Sequence, residues 1–315
     1  MGGAGFIGSH FVDCLVSKGC HVKVIDNFCS GTIQHVSNHL GKPYFELFSI
    51  PVEDTKKIVK IFEGVDTVIH LASNPDIAAA MNNPRIDFTQ GTVLTESVVE
   101  AVRLAGVKRL LYASGSGVYG EVASQPISES DQLKPVSPYG ASKLAGEALI
   151  SAYAYMFDFQ ATAFRFANVV GPRQTHGVGY DFIRRLFLDP TELVILGDGT
   201  QTKSYIHVED IVDAVLHIEN YDKTFFDVYN ISTEDTLTVH QIADLTIEIL
   251  GIDPSEVNLR FGSESRGWKG DVPKIFLSSS KIQSTGWRAK KSSKESMYDA
   301  INAMKREIIG LSSDQ

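Results

Sequence analysis

A glycine-rich turn opens this chain and narrows what it can fold into. Gly2, Gly5 and Gly8 keep the G-x-x-G-x-x-G spacing within Gly2-Gly3-Ala4-Gly5-Phe6-Ile7-Gly8. Small residues at that spacing let the backbone approach a pyrophosphate, while the following helix presents its N–H groups and positive end. Phe6 and Ile7 begin that helix. A β-branched run at 22–25 follows and ends at Asp26. A carboxylate about 20 residues beyond the glycines is placed to take the hydroxyl pair of a ribose. It also repels a 2′-phosphate, so the dinucleotide expected is NAD. Asn27, Ser30 and Gly31 lie in the next loop and are candidates for the adenosine phosphate side, although the same residues make ordinary turns.

A loop of this kind should follow a strand, yet only Met1 precedes it. The first, normally central, strand is therefore expected to be missing, leaving a gap in the sheet and a weakened core. Runs at 22–25, 67–71, 109–113 and 161–166 read as strands, and 6–18, 87–105 and 139–157 as helices. This alternation predicts an α/β fold with a doubly wound parallel (Rossmann) sheet and right-handed crossovers. Past Gly171-Pro172-Arg173 the alternation becomes irregular, with helices expected at 208–220, 239–250 and 294–306. The organisation expected is an NAD-binding domain over 1–170 and a smaller α/β substrate-binding domain over 171–315, partly interleaved with the first.

Tyr139 and Lys143 stand four apart in Ser137-Pro138-Tyr139-Gly140-Ala141-Ser142-Lys143 and share one helix face. A neighbouring ammonium favours the phenolate of a side chain whose free pKa is about 10, which makes a general base. A tyrosine base beside a nicotinamide site points to hydride chemistry at a hydroxyl. Composition removes other classes. The net charge of −9 disfavours a nucleic-acid partner, so an anionic substrate needs locally placed Arg and Lys. No apolar run approaches the roughly 20 residues that span a bilayer, and no signal peptide precedes the first motif; a cytoplasmic protein with no membrane association is expected. Cys14, Cys20 and Cys29 have no metal spacing and the nine histidines are scattered, so free thiols and no metal are expected.

Further motifs accompany these: His70-Leu71-Ala72-Ser73, Val118-Tyr119-Gly120, Asn168-Val169-Val170-Gly171-Pro172-Arg173, Gly197-Asp198-Gly199, Lys203 through Asp210, and Arg266-Gly267-Trp268-Lys269-Gly270-Asp271. With them, residues 2–287 resemble the extended short-chain dehydrogenase/reductases of the NAD-dependent epimerase/dehydratase family, closest in pattern to the UDP-glucose 4-epimerase-like members. The resemblance implies that Tyr139 is the base, and that Lys143 holds the nicotinamide ribose and lowers the Tyr139 pKa. It implies that Leu71, Ala72 and Ser73 line the cofactor, that Asn168 binds substrate, and that Lys203 and Arg266 clamp the diphosphate of a UDP-sugar. It also implies a homodimer through the helices at 87–105 and 139–157. His70 and His207 read as structural.

The chain departs from the family pattern at several places. The Ser or Thr usually four residues before the tyrosine of Val-Tyr-Gly is Gly115; Ser116, or alternatively Ser114, is the candidate substitute, with Ser116 favoured. Lys203 replaces a more frequent Arg and loses its bidentate fork. Pro51 stands for an adenine-contacting Asp, and Gly91 for an Asn on the long helix. Ser116 and Gly117 occupy positions where the dehydratases carry an acid pair, and Gly117 one where decarboxylases carry Glu; both reactions are disfavoured. The leading expectation is a UDP-hexose 4-epimerase working through a 4-keto sugar. UDP-glucuronate or UDP-N-acetylhexosamine epimerisation, a 4-ketoreductase and a non-catalytic nucleotide-sugar binder remain alternatives. Ile275, where the family tunes room for a 2-acetamido group, does not choose among the sugars.

Overall fold

The computed structural model describes residues 1–51, 54–123, 125–221 and 224–313. It comprises two compact units, the first built from Met1–Gly120, Gln132–Phe166 and Val212–Asn230, the second from Glu121–Asp131, Ala167–Ile211 and Ile231–Gln315. Against the expected division into 1–170 and 171–315, segments 121–131 and 167–170 belong with the second unit and 212–230 with the first.

In the first unit, β1 (Val22–Asp26) pairs in parallel with β2 (Phe45–Ser49), Val22 opposite Phe45 and Asp26 opposite Ser49. A separate sheet runs β3 (Thr67–His70), β4 (Arg109–Gly115), β5 (Gln160–Phe166) and the strand Phe226–Ile231, with β3, β4 and β5 parallel. β1–β2 and β3–β5 thus lie in two separate sheets. Met1 and Gly2 stitch the two pieces together. The Met1 amine donates to the Ile69 carbonyl (3.0 Å), Leu71 N–H to the Met1 carbonyl (3.1 Å) and Gly2 N–H to the Ile25 carbonyl (2.8 Å).

β4 is buried from Arg109 through Ser114, as a central parallel strand covered on both faces should be. Leu110, Val98, Val102, Ile150, Ala161 and Ala163 form one fully buried cluster around it. The helix Pro138–Phe157 begins where the Ser137 hydroxyl accepts from Gly140 N–H, with Pro138 in its first turn, and ends at Asp158 in the left-handed region (φ 55°). The helix expected at 87–105 is not continuous. A short turn Arg85–Asp87 passes through one π-helical turn, Phe88–Val93, before the helix Leu94–Ala105. At the wide turn, a Cβ on Gly91 would lie 2.5 Å from Ser142 Oγ. The helix bearing Tyr139 therefore packs too close for the Asn of the family pattern.

The second unit holds short strand pairs. Asn168–Val170 runs parallel to Tyr205–His207, Glu192–Ile195 parallel to Asn258–Phe261, and Thr202–Lys203 lies between Leu237–Thr238 and Lys274–Ile275. Phe182, Ile183, Leu186, Ile242, Met297 and Ile301 join the helices Val178–Leu188, Val239–Leu250 and Ser293–Ser313 in one core. A Thr238/Gln241 capping box starts the middle helix.

Candidate active site

The glycine turn forms a tight cradle. Gly2 has φ 74°, and a Cβ on Gly8 would overlap the Gly2 carbonyl oxygen. The helix Phe6–Ser17 starts at Gly5 with no side-chain cap and no acid in its first turn. Its N-terminal N–H groups and positive end thus meet no side chain of their own, which fits a diphosphate. Asp26 is buried at the end of β1, accepting from Ala4 N–H at Oδ2 (2.8 Å) and Phe28 N–H at Oδ1 (2.9 Å). Each carboxylate oxygen retains a second lone pair for a ribose hydroxyl. Gly31 packs against Ala4 and Asp26, Asn27 Oδ1 accepts from Cys29 N–H in a local turn, and Ser30 is exposed. Ala72 lies against Gly2 at the end of β3. The residues present therefore fit a dinucleotide.

Tyr139 and Lys143 sit on the same helix face, but not as their spacing suggested. Lys143 Nζ donates to the Ala113 carbonyl (2.8 Å) and lies 5.6 Å from the Tyr139 ring centroid. Burial lowers the Lys143 pKa to about 8, opposed by Asp87 and Glu147. Tyr139 is only partly enclosed, yet the protein packed around its hydroxyl pushes its pKa up to about 12, with Ser73 opposing the shift and Asp87 adding to it. The expected lowering by Lys143 is thus not what this structure shows: the ammonium is committed to a backbone carbonyl, and desolvation prevails.

Around this pair lie groups the sequence reading missed. Asp87, 1% exposed, accepts from Asn74 Nδ2 (2.9 Å) and leaves its Oδ2 buried without a partner; burial raises its pKa. Glu147, one turn beyond Lys143, makes a bidentate pair with Arg165 (2.7 and 3.0 Å), their side chains 5% and 4% exposed. Arg165 also donates to the Tyr119 hydroxyl, which donates to Asn230. The i, i+4 step from Lys143 to Glu147 could have been read from sequence; the Arg165 partner could not. Ser114 Oγ donates to Glu147 (2.5 Å) and is thereby used, while Ser116 is partly exposed and has no hydrogen bond to Tyr139. His70 is fully buried between Thr95 and the Tyr112 ring, and burial holds it neutral.

In the second unit, Lys203 donates to Asp271 (2.6 Å), and Arg266 holds Glu121 (2.5 Å) and the Asp271 carbonyl (2.9 Å). Asp271 thus draws both cations of the expected diphosphate clamp together. Asn168 Nδ2 donates to the Ser204 carbonyl (3.2 Å), and Ile275 is buried in the strand paired with Thr202–Lys203. His207 is buried and its pKa lowered, first by burial. No group of metal-ligating side chains occurs among the described residues.

The profile of the NAD dependent epimerase/dehydratase family matches residues 1–232. A putative UDP-glucose 4-epimerase of Methanocaldococcus jannaschii is 30% identical over 310 residues, covering 96% of this chain and 97% of the relative. A UDP-glucose 4-epimerase of Thermotoga maritima, solved with UDP-glucose, superposes with a TM-score of 0.87 at 31% identity over 98% of both chains. A Thermus thermophilus UDP-glucose 4-epimerase in complex with NAD superposes with a TM-score of 0.84 at 28% identity, covering 96% of this chain and 97% of that one.

Proposed function

Because the chain belongs to the NAD dependent epimerase/dehydratase family, we propose that it is a UDP-hexose 4-epimerase interconverting UDP-galactose and UDP-glucose. The observation carrying this reading is Tyr139 held beside Lys143 in the unit that contains the glycine cradle, with no acid at Ser116 or Gly117 to drive elimination. The names of the relatives support the same chemistry.

When bound, NAD supplies a hydride acceptor that returns what it takes, so inversion at C4 is redox-neutral. Tyr139 accepts the proton of the sugar 4-hydroxyl as the C4 hydrogen departs, and gives it back to the other epimer. Lys143 holds the nicotinamide ribose, Asp26 takes the adenosine ribose hydroxyls, and Gly2, Gly5, Phe6, Ile7 and Gly8 receive the pyrophosphate. Asn27, Ser30 and Gly31 border the adenosine phosphate, and Leu71, Ala72 and Ser73 line the cofactor. Asn168, Lys203 and Arg266 bind the substrate. The test is a proton NMR time course with UDP-galactose and added NAD+. UDP-glucose appears with no net cofactor reduction; a folded, NAD-bound protein that converts none of the sugar refutes the reading.

The clamp has its own consequence. Lys203→Ala raises KM for the UDP-sugar roughly tenfold or more, the scale of a charge-assisted hydrogen bond, with little change in kcat. An unaltered KM removes Lys203 from the diphosphate site. We also place the protein in the cytoplasm as a homodimer; no described helix is long and apolar enough to cross a membrane. Phe88, Leu104, Tyr155, Met156 and Phe157, on or flanking the helices at 87–105 and 139–157, are exposed apolar side chains that suit such an interface. Light scattering that returns a monomer mass rejects the dimer.

A further inference from the structure

A clamp for a diphosphate should offer positive charge to its ligand, yet both cations of this one already hold a carboxylate. Lys203 Nζ donates to Asp271 Oδ1 (2.6 Å), and Arg266 Nη1 to Glu121 Oε1 (2.5 Å). Two cations are thus matched by two anions. A diphosphate that enters meets no net positive charge from these four side chains unless one carboxylate gives way.

The two carboxylates are not held alike. The Asp271 side chain is 10% exposed, and its Oδ2 accepts from Gly267 N–H (3.2 Å) while Oδ1 takes Lys203. The Asp271 N–H donates to the Trp268 carbonyl (3.0 Å), and its carbonyl accepts from Arg266 Nη1 (2.9 Å). Asp271 is therefore built into the 266–271 turn and steadies Arg266 through the main chain. The Glu121 side chain is 49% exposed and bonds, among the described residues, to Arg266 alone. Of the two, Glu121 is the one free to leave.

Glu121 reaches Arg266 because the segment behind it is anchored nearby. Gln125 Nε2 donates to the Lys274 carbonyl (2.9 Å), Ile127 N–H to the Phe276 carbonyl (2.8 Å) and Ser278 N–H to the Ile127 carbonyl (2.7 Å). The strand Lys274–Ile275 in turn runs parallel to Thr202–Lys203, with Ile275 opposite Lys203. The strands that carry the clamp lysine thus also hold the segment that delivers Glu121, which sets this ion pair apart from an isolated surface pair.

We propose that Glu121 competes with the substrate diphosphate for the Arg266 guanidinium, so that a UDP-sugar binds by displacing this carboxylate while the Asp271 backbone keeps Arg266 in position. The exchange is favourable because a diphosphate brings two negative charges to a planar fork that Glu121 meets with one. An anion of lower charge displaces Glu121 less readily, so the covered arginine selects against stray anions. This competition rests on the proposed diphosphate clamp and not on which hexose is turned over.

The test is calorimetric titration of the full chain with UDP, which needs no turnover, for wild type, Glu121→Gln, Arg266→Ala and the double variant. Arg266→Ala is expected to weaken UDP binding roughly tenfold or more, the scale of a hydrogen bond to a charged group. Glu121→Gln keeps the side chain's size without its charge and tightens binding roughly two- to fivefold, the span of an exposed ion pair. In the Arg266→Ala background that gain disappears. A Glu121→Gln protein that binds UDP no better than wild type, while Arg266→Ala binds it weakly, overturns the proposal and leaves the clamp standing. A gain that survives the loss of Arg266 also overturns it, since it then comes from removing a negative charge near the site rather than from freeing the guanidinium. Arg266→Ala with wild-type affinity refutes the clamp itself, and the competition with it.

Discussion

Tyr139→Phe is expected to lower turnover of UDP-galactose by roughly a thousandfold, within the 10²–10⁴ span of general acid–base catalysis, while NAD and UDP-sugar binding persist. Phenylalanine keeps the ring, and Lys143 keeps its bond to the Ala113 carbonyl, which does not involve the phenol oxygen. The loss is confined to the group that exchanges the proton. Calorimetric titration with the nucleotide sugar, beside the NMR time course, separates binding from chemistry. Turnover equal to wild type excludes Tyr139 as the base; lost binding of both ligands assigns the ring a packing role instead.

The second large effect is on stability. Glu147→Ala removes the carboxylate partner of the Arg165 guanidinium, whose side chain is 4% exposed, and the acceptor of Ser114. Breaking a buried pair from one side costs about 3–5 kcal/mol, because the remaining charge stays desolvated. For a chain of this size that corresponds to a fall in Tm of roughly 5–8 °C. Replacing both partners, Glu147→Leu with Arg165→Met, is expected to recover most of the loss, since well-packed apolar side chains carry no desolvation penalty. Thermal and urea unfolding of the two proteins check this. A single variant as stable as wild type shows that water or rearrangement already compensates Arg165. Glu147→Ala also removes an anion that supports the protonated Lys143, whose pKa then falls further below about 8.

Much of the candidate site is legible in the chain because its signals are local. The spacing of Gly2, Gly5 and Gly8 ahead of a strand ending at Asp26 specifies a dinucleotide turn, since backbone clearance and strand length are set within a few residues. Four residues between Tyr139 and Lys143 place them on one helix face wherever that helix packs. Alternating β-branched and helical runs likewise imply the parallel sheet. The long helix was legible as a helix, but not its π turn, where Ser142 packs over Gly91.

The remainder depended on distant segments meeting. Whether Ser114 or Ser116 remains available to Tyr139 could not be read from neighbours in sequence. It depends on Glu147 drawing Ser114 into the core. Which way Lys143 points depends on where β4 offers the Ala113 carbonyl. The carboxylates held by Lys203 and Arg266 come from 68 positions further along the chain in the first case and from the 121–131 segment in the second. By itself the sequence determined the periodicities, and with them the fold class, the dinucleotide turn and the shared face of Tyr139 and Lys143. Only the tertiary structure decided hydrogen-bond partners and pKa directions. Periodicity is a property of adjacent residues, whereas desolvation and partner choice follow from which buried groups the folded chain brings within reach.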